Sequence, residues 1–170
     1  VALFFPSYDL RDRVGIFFNS KKHLFWEKRS MTKEEKEEFL EGFKAKKDSG
    51  GVLLGVTGAN FAEGVDFPGD LLNGAVIIGL PLARPDLITK KTISYYDMKF
   101  GKGWDYGYTY PAINKCLQSA GRCIRSESDR GVVIYLDERF AWQSYFSCFP
   151  REGLIVSKDY KKLLNKFFNN

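Results

Sequence analysis

Two runs of consecutive apolar residues, at 52–56 and 75–80, place the strongest constraint on how this chain can fold. Continuous apolar runs of this length are typical of parallel strands that helices cover on both faces. Further strands are expected at 1–6, 23–27 and 132–136, with helices at 9–19, from Thr32 onward, at 87–100 and from Pro111 onward. The sequence therefore predicts an α/β fold, with a mostly parallel central sheet in three layers.

Length and composition indicate one domain. The 170 residues, 44% of them hydrophobic, can bury a single core without a structural metal or a disulfide. We therefore interpret 1–170 as one domain of a longer protein, with a C-terminal helical tail at 158–170. The three cysteines lack the close paired spacing of zinc or iron–sulfur ligands, so they are expected to be reduced and structural. His23 is expected at the surface or at a strand entry.

The segment 118–125, QSAGRCIR, contains two arginines and a glutamine at helical spacing. Gln118, Arg122 and Arg125 fall at i, i+4 and i+7, whereas an apolar stripe formed by Leu117, Ala120 and Ile124 could pack on a core. Paired guanidiniums suit a polyphosphate because each keeps its charge and forks onto phosphate oxygens. The alternative is a solvated basic helix face.

A glycine-rich loop, GANFAEGVDFPG at 58–69, directly follows one of the apolar runs. Gly58 and Gly64 allow the backbone to approach a ligand closely, and Glu63 and Asp66 supply carboxylates that could orient an arginine or contact a ribose. An ordinary turn between a strand and a helix is the alternative interpretation.

Taken in order, these segments resemble the fifth and sixth motifs of superfamily 2 helicases, in the XPD-like branch that includes the bacterial DinG proteins. The N-terminal ALFFPSY at 2–8 is similar to the fourth motif, and IYLDERF at 134–140 is similar to the strand that follows the sixth. The resemblance spans about residues 2–150. It implies that the chain is a RecA-like second helicase domain.

The resemblance also implies a nucleotide site shared by two RecA-like domains. ATP and Mg²⁺ would be bound mainly by a first domain absent from this chain, and Arg122 and Arg125 would be its catalytic arginines, contacting the γ-phosphate. The remaining nucleotide-binding residues would be Gln118, Glu63, Gly64 and Asp66. Gly64 with Asp66 would couple the nucleotide state to the loop that grips DNA.

A single-stranded DNA partner is implied by the same resemblance and favoured by the net charge of +5. Hydroxyl, amide and backbone N–H groups would give contacts independent of sequence. The expected DNA-binding residues are Ser7, Tyr8, Thr57, Gly58, Asn60 and Arg84.

The chain lacks a phosphate-binding loop of the form G-x-x-x-x-G-K-[ST]. Gly101-Lys102-Gly103 is interpreted as a flexible surface turn. Asp137-Glu138 is rejected as a magnesium-binding pair and is expected to orient a neighbouring loop. No metal site is assigned, and the isolated domain is expected to be inactive. The iron–sulfur cluster that the resemblance implies would belong to the parent protein, outside this chain.

The resemblance further implies 5′-to-3′ helicase activity in DNA repair, such as nucleotide excision repair, with the first RecA-like domain and repair or transcription-factor subunits as partners. A soluble intracellular protein is expected, cytoplasmic or nuclear according to the organism, since no apolar run approaches a membrane span.

Alternatives remain open for the function and for one segment. A nucleic-acid-binding or regulatory module without ATPase coupling is one alternative function, and a small-molecule α/β enzyme is another. The aromatic segment 104–110 could stack on DNA bases, although a loop packed on its own domain is favoured.

Overall fold

The computed structural model describes residues 1–62, 67, 71–124, 129–151 and 153–169. Within these ranges a single sheet of parallel strands forms the centre of the fold. The strands are β1 (Ala2–Phe5), β2 (His23–Trp26), β3 (Gly51–Val56), β4 (Gly74–Ile78) and β5 (Val132–Leu136). Their spatial order is β2-β3-β1-β4-β5. The predicted α/β fold with a parallel central sheet is confirmed.

Helices lie between β1 and β2, between β2 and β3 and between β4 and β5, as is usual for crossovers between parallel strands, and two more helices follow β5. The helices are α1 (Tyr8–Gly15), α2 (Lys33–Lys44), α3 (Leu87–Phe100), α4 (Tyr110–Ala120), α5 (Gln143–Phe146) and α6 (Tyr160–Phe168). A π-helical turn, Asp105–Thr109, precedes α4, and a 3₁₀ turn, Glu138–Ala141, follows β5. No helix in the described part of the chain is both long and apolar enough to cross a membrane.

The alternation of side chains along β1 and β3 divides the core between the two faces of the sheet. On one face, Phe4 and Leu53 join a buried cluster that includes Phe43 of α2 and Ile113 of α4. On the other face, α1 approaches so closely that a Cβ at Gly15 would lie 2.0 Å from the Trp26 ring. Helices on both faces explain why these strands are continuous apolar runs.

Local signals fix several helix ends. Thr32 forms the expected capping box with Glu35: the Thr32 Oγ1 accepts from Glu35 N at 3.2 Å, and the Glu35 carboxylate accepts from Thr32 N at 2.9 Å. The Asp86 carboxylate caps α3 by accepting from Thr89 N at 2.7 Å. Gly101 ends α3 in the left-handed region, with φ of 65°.

Two expectations about local structure are wrong. Gly101 and Lys102 are exposed and non-helical, in keeping with a surface turn, whereas the loop favoured for 104–110 is wrong, because residues 103–109 are helical and lead directly into α4. In addition, α4 ends at Ala120, so Arg122 lies in the turn after the helix rather than on the helix itself. Ile124 is therefore 43% exposed instead of packing on the core with Ala120.

The C-terminal helix α6 contacts the segment that leads into β5. The Arg130 guanidinium lies 5.1 Å from the centre of the Phe167 ring and also donates to the Phe167 carbonyl oxygen. These contacts connect α6 to the start of an edge strand of the sheet.

Candidate functional site

The carboxyl ends of β1, β2 and β3 lie at the same edge of the sheet, since the three strands are parallel and adjacent. Phe5 pairs with Val56, and Trp26 pairs with Leu54, so the residues that follow each strand are neighbours. This arrangement brings together most of the predicted DNA-binding residues. They are Ser7 and Tyr8 after β1, and Thr57, Gly58 and Asn60 after β3.

Tyr8 is held at this edge by cations and by a backbone contact. Its hydroxyl donates to the Lys28 carbonyl oxygen at 3.3 Å. The Arg11 and Arg29 guanidiniums lie 4.8 and 5.1 Å from the centre of its ring. Burial raises the pKa of the Tyr8 hydroxyl, with a further contribution from the nearby Glu27 carboxylate. The exposed Ser7 caps α1, because its Oγ accepts from Leu10 N at 3.2 Å.

The loop after β3 presents one buried hydroxyl and an exposed backbone. Thr57 N donates to the Phe5 carbonyl oxygen at 2.8 Å, whereas the buried Thr57 Oγ1 has no hydrogen-bond partner among the described residues. Gly58 is exposed, with φ of 76°, a conformation that favours glycine. The Asn60 amide donates to the Lys28 carbonyl oxygen at 3.1 Å.

Arg84 follows β4 and is exposed just before α3. β4 pairs with β1 in the sheet, so Arg84 also follows a carboxyl end, on the side opposite β3. The predicted DNA-binding residues thus follow the three central strands of the sheet.

The turn after α4 places Arg122 against Ala62 of the glycine-rich loop. Arg122 Nε donates to the Ala62 carbonyl oxygen at 3.0 Å, across a sequence separation of 60 residues. The Cys123 thiol donates to the Leu72 carbonyl oxygen at 3.1 Å, close to where β4 begins. Gln118 is exposed in the last turn of α4. The structure therefore joins the two motifs that the sequence analysis placed at one nucleotide site.

Part of the predicted nucleotide site lies outside the described residues, namely Glu63, Gly64, Asp66 and Arg125. Ala62, which Arg122 contacts, directly precedes Glu63 in the sequence. The predicted roles of Glu63, Gly64, Asp66 and Arg125 therefore stay predictions.

Asp137 is occupied by a local ion pair. Its carboxylate accepts from Arg139 N at 2.9 Å and pairs with the Arg139 guanidinium at 2.7 Å. These hydrogen bonds from Arg139 hold the pKa of Asp137 below its ordinary value. Asp137 therefore caps the 3₁₀ turn after β5.

Metal ligation finds no support in the described residues, where no group of histidine, cysteine, aspartate or glutamate side chains is arranged to hold an ion. Cys116 and Cys123 are buried free thiols, and Cys148 is a partly buried one. Burial raises the pKa of Cys116 to about 12. Cys116 and Cys123 pack in the main core cluster.

Two residues at the carboxyl edge were missed by the sequence analysis. Glu27 and Arg29 follow the short strand β2, and Glu27 is only 1% exposed. Their place directly after a predicted parallel strand could have identified them, because the residues that follow parallel strands meet at one edge of the sheet. The run of charges after β2 was instead left without a role.

Comparison with known proteins agrees with this architecture. The family model for the helicase C-terminal domain matches residues 1–152. The "ATP-dependent DNA helicase chl-1" of Caenorhabditis elegans is 28% identical over 85% of this chain and 18% of its own length. The "ATP-dependent DNA helicase YoaA" of Haemophilus influenzae is 32% identical over 84% of this chain and 22% of its own length. The chain thus spans about a fifth of these relatives.

Solved structures give the same result. One described as "XPD_APO" is 26% identical, with a TM-score of 0.65 over 87% of this chain and 31% of that chain. Another, described as "Structure of S. tokodaii Xpd4", is 26% identical, with a TM-score of 0.57 over 86% of this chain and 27% of that chain. The chain therefore belongs to the helicase C-terminal domain family, as the second RecA-like domain of an XPD- and DinG-like superfamily 2 helicase.

Proposed function

We propose that the parent protein is an ATP-dependent DNA helicase in which this domain completes the ATP site and contacts single-stranded DNA. The relatives in Caenorhabditis elegans and Haemophilus influenzae are both named ATP-dependent DNA helicases. The observation that carries the proposal is the hydrogen bond from Arg122 Nε to the Ala62 carbonyl oxygen. It joins the arginine-bearing turn to the loop that begins at the carboxyl edge of the sheet.

In this proposal ATP and Mg²⁺ are held mainly by the first RecA-like domain of the parent. Arg122 approaches the γ-phosphate when the two domains close, and Arg125 is assigned the same role. A guanidinium that meets the phosphates only in the closed state stabilises charge that develops during phosphoryl transfer. The hydrogen bond to Ala62 supports the role of Arg122 because it fixes the direction of the side chain. Gln118, Glu63, Gly64 and Asp66 complete this side of the site.

The DNA path is proposed to run along the carboxyl edge of the sheet. Ser7, Gly58 and Arg84 are exposed there, and a phosphodiester needs only hydroxyl, backbone N–H and cationic groups for sequence-independent contacts. The Thr57 hydroxyl, which has no hydrogen-bond partner among the described residues, lies in the same loop as the Asn60 amide. Movement in the 5′-to-3′ direction and a role in DNA repair, including nucleotide excision repair with further subunits, extend the proposal to the parent protein.

The Arg122→Ala substitution in the full-length parent tests the catalytic part of the proposal. We expect DNA-dependent ATP hydrolysis to fall about 10³-fold, the lower range reported for removal of an arginine finger. Phosphate release measures turnover, and fluorescence anisotropy with a labelled single strand measures DNA affinity, which should persist.

Arg151→Ala is the matched control, because Arg151 is an exposed arginine outside both groups of site residues. Turnover in the Arg122→Ala variant equal to that of the Arg151→Ala control would refute the assignment. Loss of DNA binding and turnover together would instead favour a nucleic-acid-binding role for the turn.

A further inference from the structure

Glu27 is a buried carboxylate whose two oxygens are both used by the backbone of one loop. Its Oε2 accepts from Val56 N at 2.7 Å, and its Oε1 accepts from Phe61 N at 3.2 Å. The side chain thereby joins the two ends of the segment that contains Thr57, Gly58 and Asn60. Charge-assisted hydrogen bonds of this kind are about twice as strong as neutral ones, so the carboxylate defines the shape of the loop.

The surrounding backbone is arranged to hold Glu27 in this position. Glu27 N donates to the Leu54 carbonyl oxygen at 3.0 Å, and its own carbonyl oxygen accepts from the buried Arg11 guanidinium. Gly55 leaves space for the carboxylate, since a Cβ there would lie 3.0 Å from Glu27 Oε2. The position of Glu27 is therefore set by two different segments of the chain, β3 and α1.

Burial disfavours the charged form of Glu27, and this desolvation raises the pKa of its carboxyl group. The hydrogen bonds from Val56 and Phe61 act in the opposite direction and lower the pKa. The Arg11 guanidinium bonds to the Glu27 backbone oxygen and to the Asp12 carboxylate. Buried charges contribute little net stability compared with apolar residues of similar volume. What Glu27 adds is the geometry of the loop.

The far end of the same segment meets Arg122. Phe61 is fully buried and stacks on Phe39 with ring centres 4.3 Å apart, which restrains its backbone. The next residue, Ala62, accepts the hydrogen bond from Arg122 Nε. The Glu27 carboxylate and the Arg122 guanidinium thus bind backbone groups of two adjacent residues, Phe61 and Ala62.

We propose that Glu27 is a positioning residue that couples DNA contact at the carboxyl edge to the placement of Arg122 at the nucleotide site. This inference rests on the proposed function, and it adds a residue that contacts neither ligand. DNA that moves Thr57, Gly58 or Asn60 pulls on a segment whose two ends are bound by Glu27 and whose next residue is bound by Arg122. Without the carboxylate, the loop is held only by its covalent connection to β3 at one end and by the buried Phe61 at the other.

The Glu27→Gln substitution in the full-length parent tests this coupling. A glutamine has one acceptor oxygen and a donating NH₂ group, so it can satisfy only one of the two N–H groups. We expect the ratio of DNA-stimulated to DNA-independent ATP hydrolysis to fall about tenfold or more, which corresponds to about 1.4 kcal/mol of activation free energy. Amide hydrogen exchange at Val56 and Phe61 should accelerate.

Gly55→Ala is the second variant, because it retains the carboxylate and displaces it through the added Cβ. It should change the ratio in the same direction, and it decides the question if Glu27→Gln does not fold. Glu38→Gln, at an exposed position on α2, is the control that should match the unmodified protein.

The outcomes separate this inference from the proposed function. An unmodified parent without any DNA-stimulated ATP hydrolysis contradicts the proposed function, and hydrogen exchange then tests the hold of Glu27 on the loop by itself. A parent with normal stimulation, together with unchanged stimulation in folded Glu27→Gln or Gly55→Ala, overturns the coupling role. Unchanged exchange at Val56 and Phe61 in a folded Glu27→Gln protein overturns it as well.

Discussion

Single cations at the carboxyl edge of the sheet differ in their surroundings. The exposed Arg29 lies over the Tyr8 ring, whose face attracts the guanidinium electrostatically. Arg84 is exposed before α3, on the other side of β1. Both are suited to phosphate contacts, which supply affinity without reading sequence.

Separate Arg29→Ala and Arg84→Ala substitutions are expected to weaken single-stranded DNA binding by the full-length parent. Each lost phosphate contact should reduce the slope of log affinity against log salt by about 0.7. Fluorescence anisotropy over a range of salt concentrations measures both quantities. Lys162→Ala on α6 is a control for loss of one exposed charge, and an identical salt slope in all three variants would contradict these contacts.

Residues differ in how far the sequence could predict their positions. Arg122 could be singled out because its motif is contiguous in the sequence, but its position in the turn after α4, bonded to Ala62, is seen only in the folded chain. Glu27 could not be predicted from a motif, because its partners are backbone N–H groups 29 and 34 residues away. Backbone donors leave no pattern in the side chains, so only the folded chain identifies this interaction.

Helices and strands were predictable where local chemistry determines them. The bounds of α3 and β5 match the sequence interpretation, and Thr32 caps α2 as its spacing with Glu35 indicated. The helical segment 103–109 was missed because it depends on tertiary packing. Gly103 and Gly107 let it approach α3 so closely that an added Cβ at Gly107 would lie 2.9 Å from the Ile93 Cα.

A Gly107→Ala substitution should therefore destabilise the contact between this segment and α3. The inserted methyl group meets backbone atoms of Ile93 that cannot rotate away, so we expect a loss of about 1–3 kcal/mol in the free energy of unfolding. Urea denaturation monitored by circular dichroism measures it. Gly121→Ala is the matched control, since a Cβ there would be 3.4 Å from the nearest atom, the Leu117 carbonyl oxygen. Equal stability of the two variants would contradict the close packing.

Under the proposed function, the whole molecule supplies one side of an ATP site that lies between two domains. Its sequence has no phosphate-binding loop, and its described residues hold no cluster suited to a metal. The three-layer fold was predictable because buried parallel strands have a distinctive composition. The position of Arg122 relative to bound ATP depends on a domain that these residues do not encode.

The isolated chain is expected to release no phosphate from ATP above the buffer rate, whereas the full-length parent should do so when DNA is present. Phosphate release at equal protein concentrations measures the difference, with the Arg122→Ala parent as a reference for impaired turnover. Saturable hydrolysis or tight ATP binding by the isolated chain would instead support a self-contained α/β enzyme.

Of the strands described, β1 is synthesised first, yet it occupies the centre of the sheet. Its residue Ala2 pairs with Leu53 on one side and with Ala75 on the other, so both neighbours are synthesised much later. Pairings between such distant segments form slowly. A nascent chain that has not yet produced Gly74–Ile78 therefore exposes an apolar strand edge that can pair with another polypeptide, and biosynthesis of this domain favours protection by a chaperone until that strand emerges.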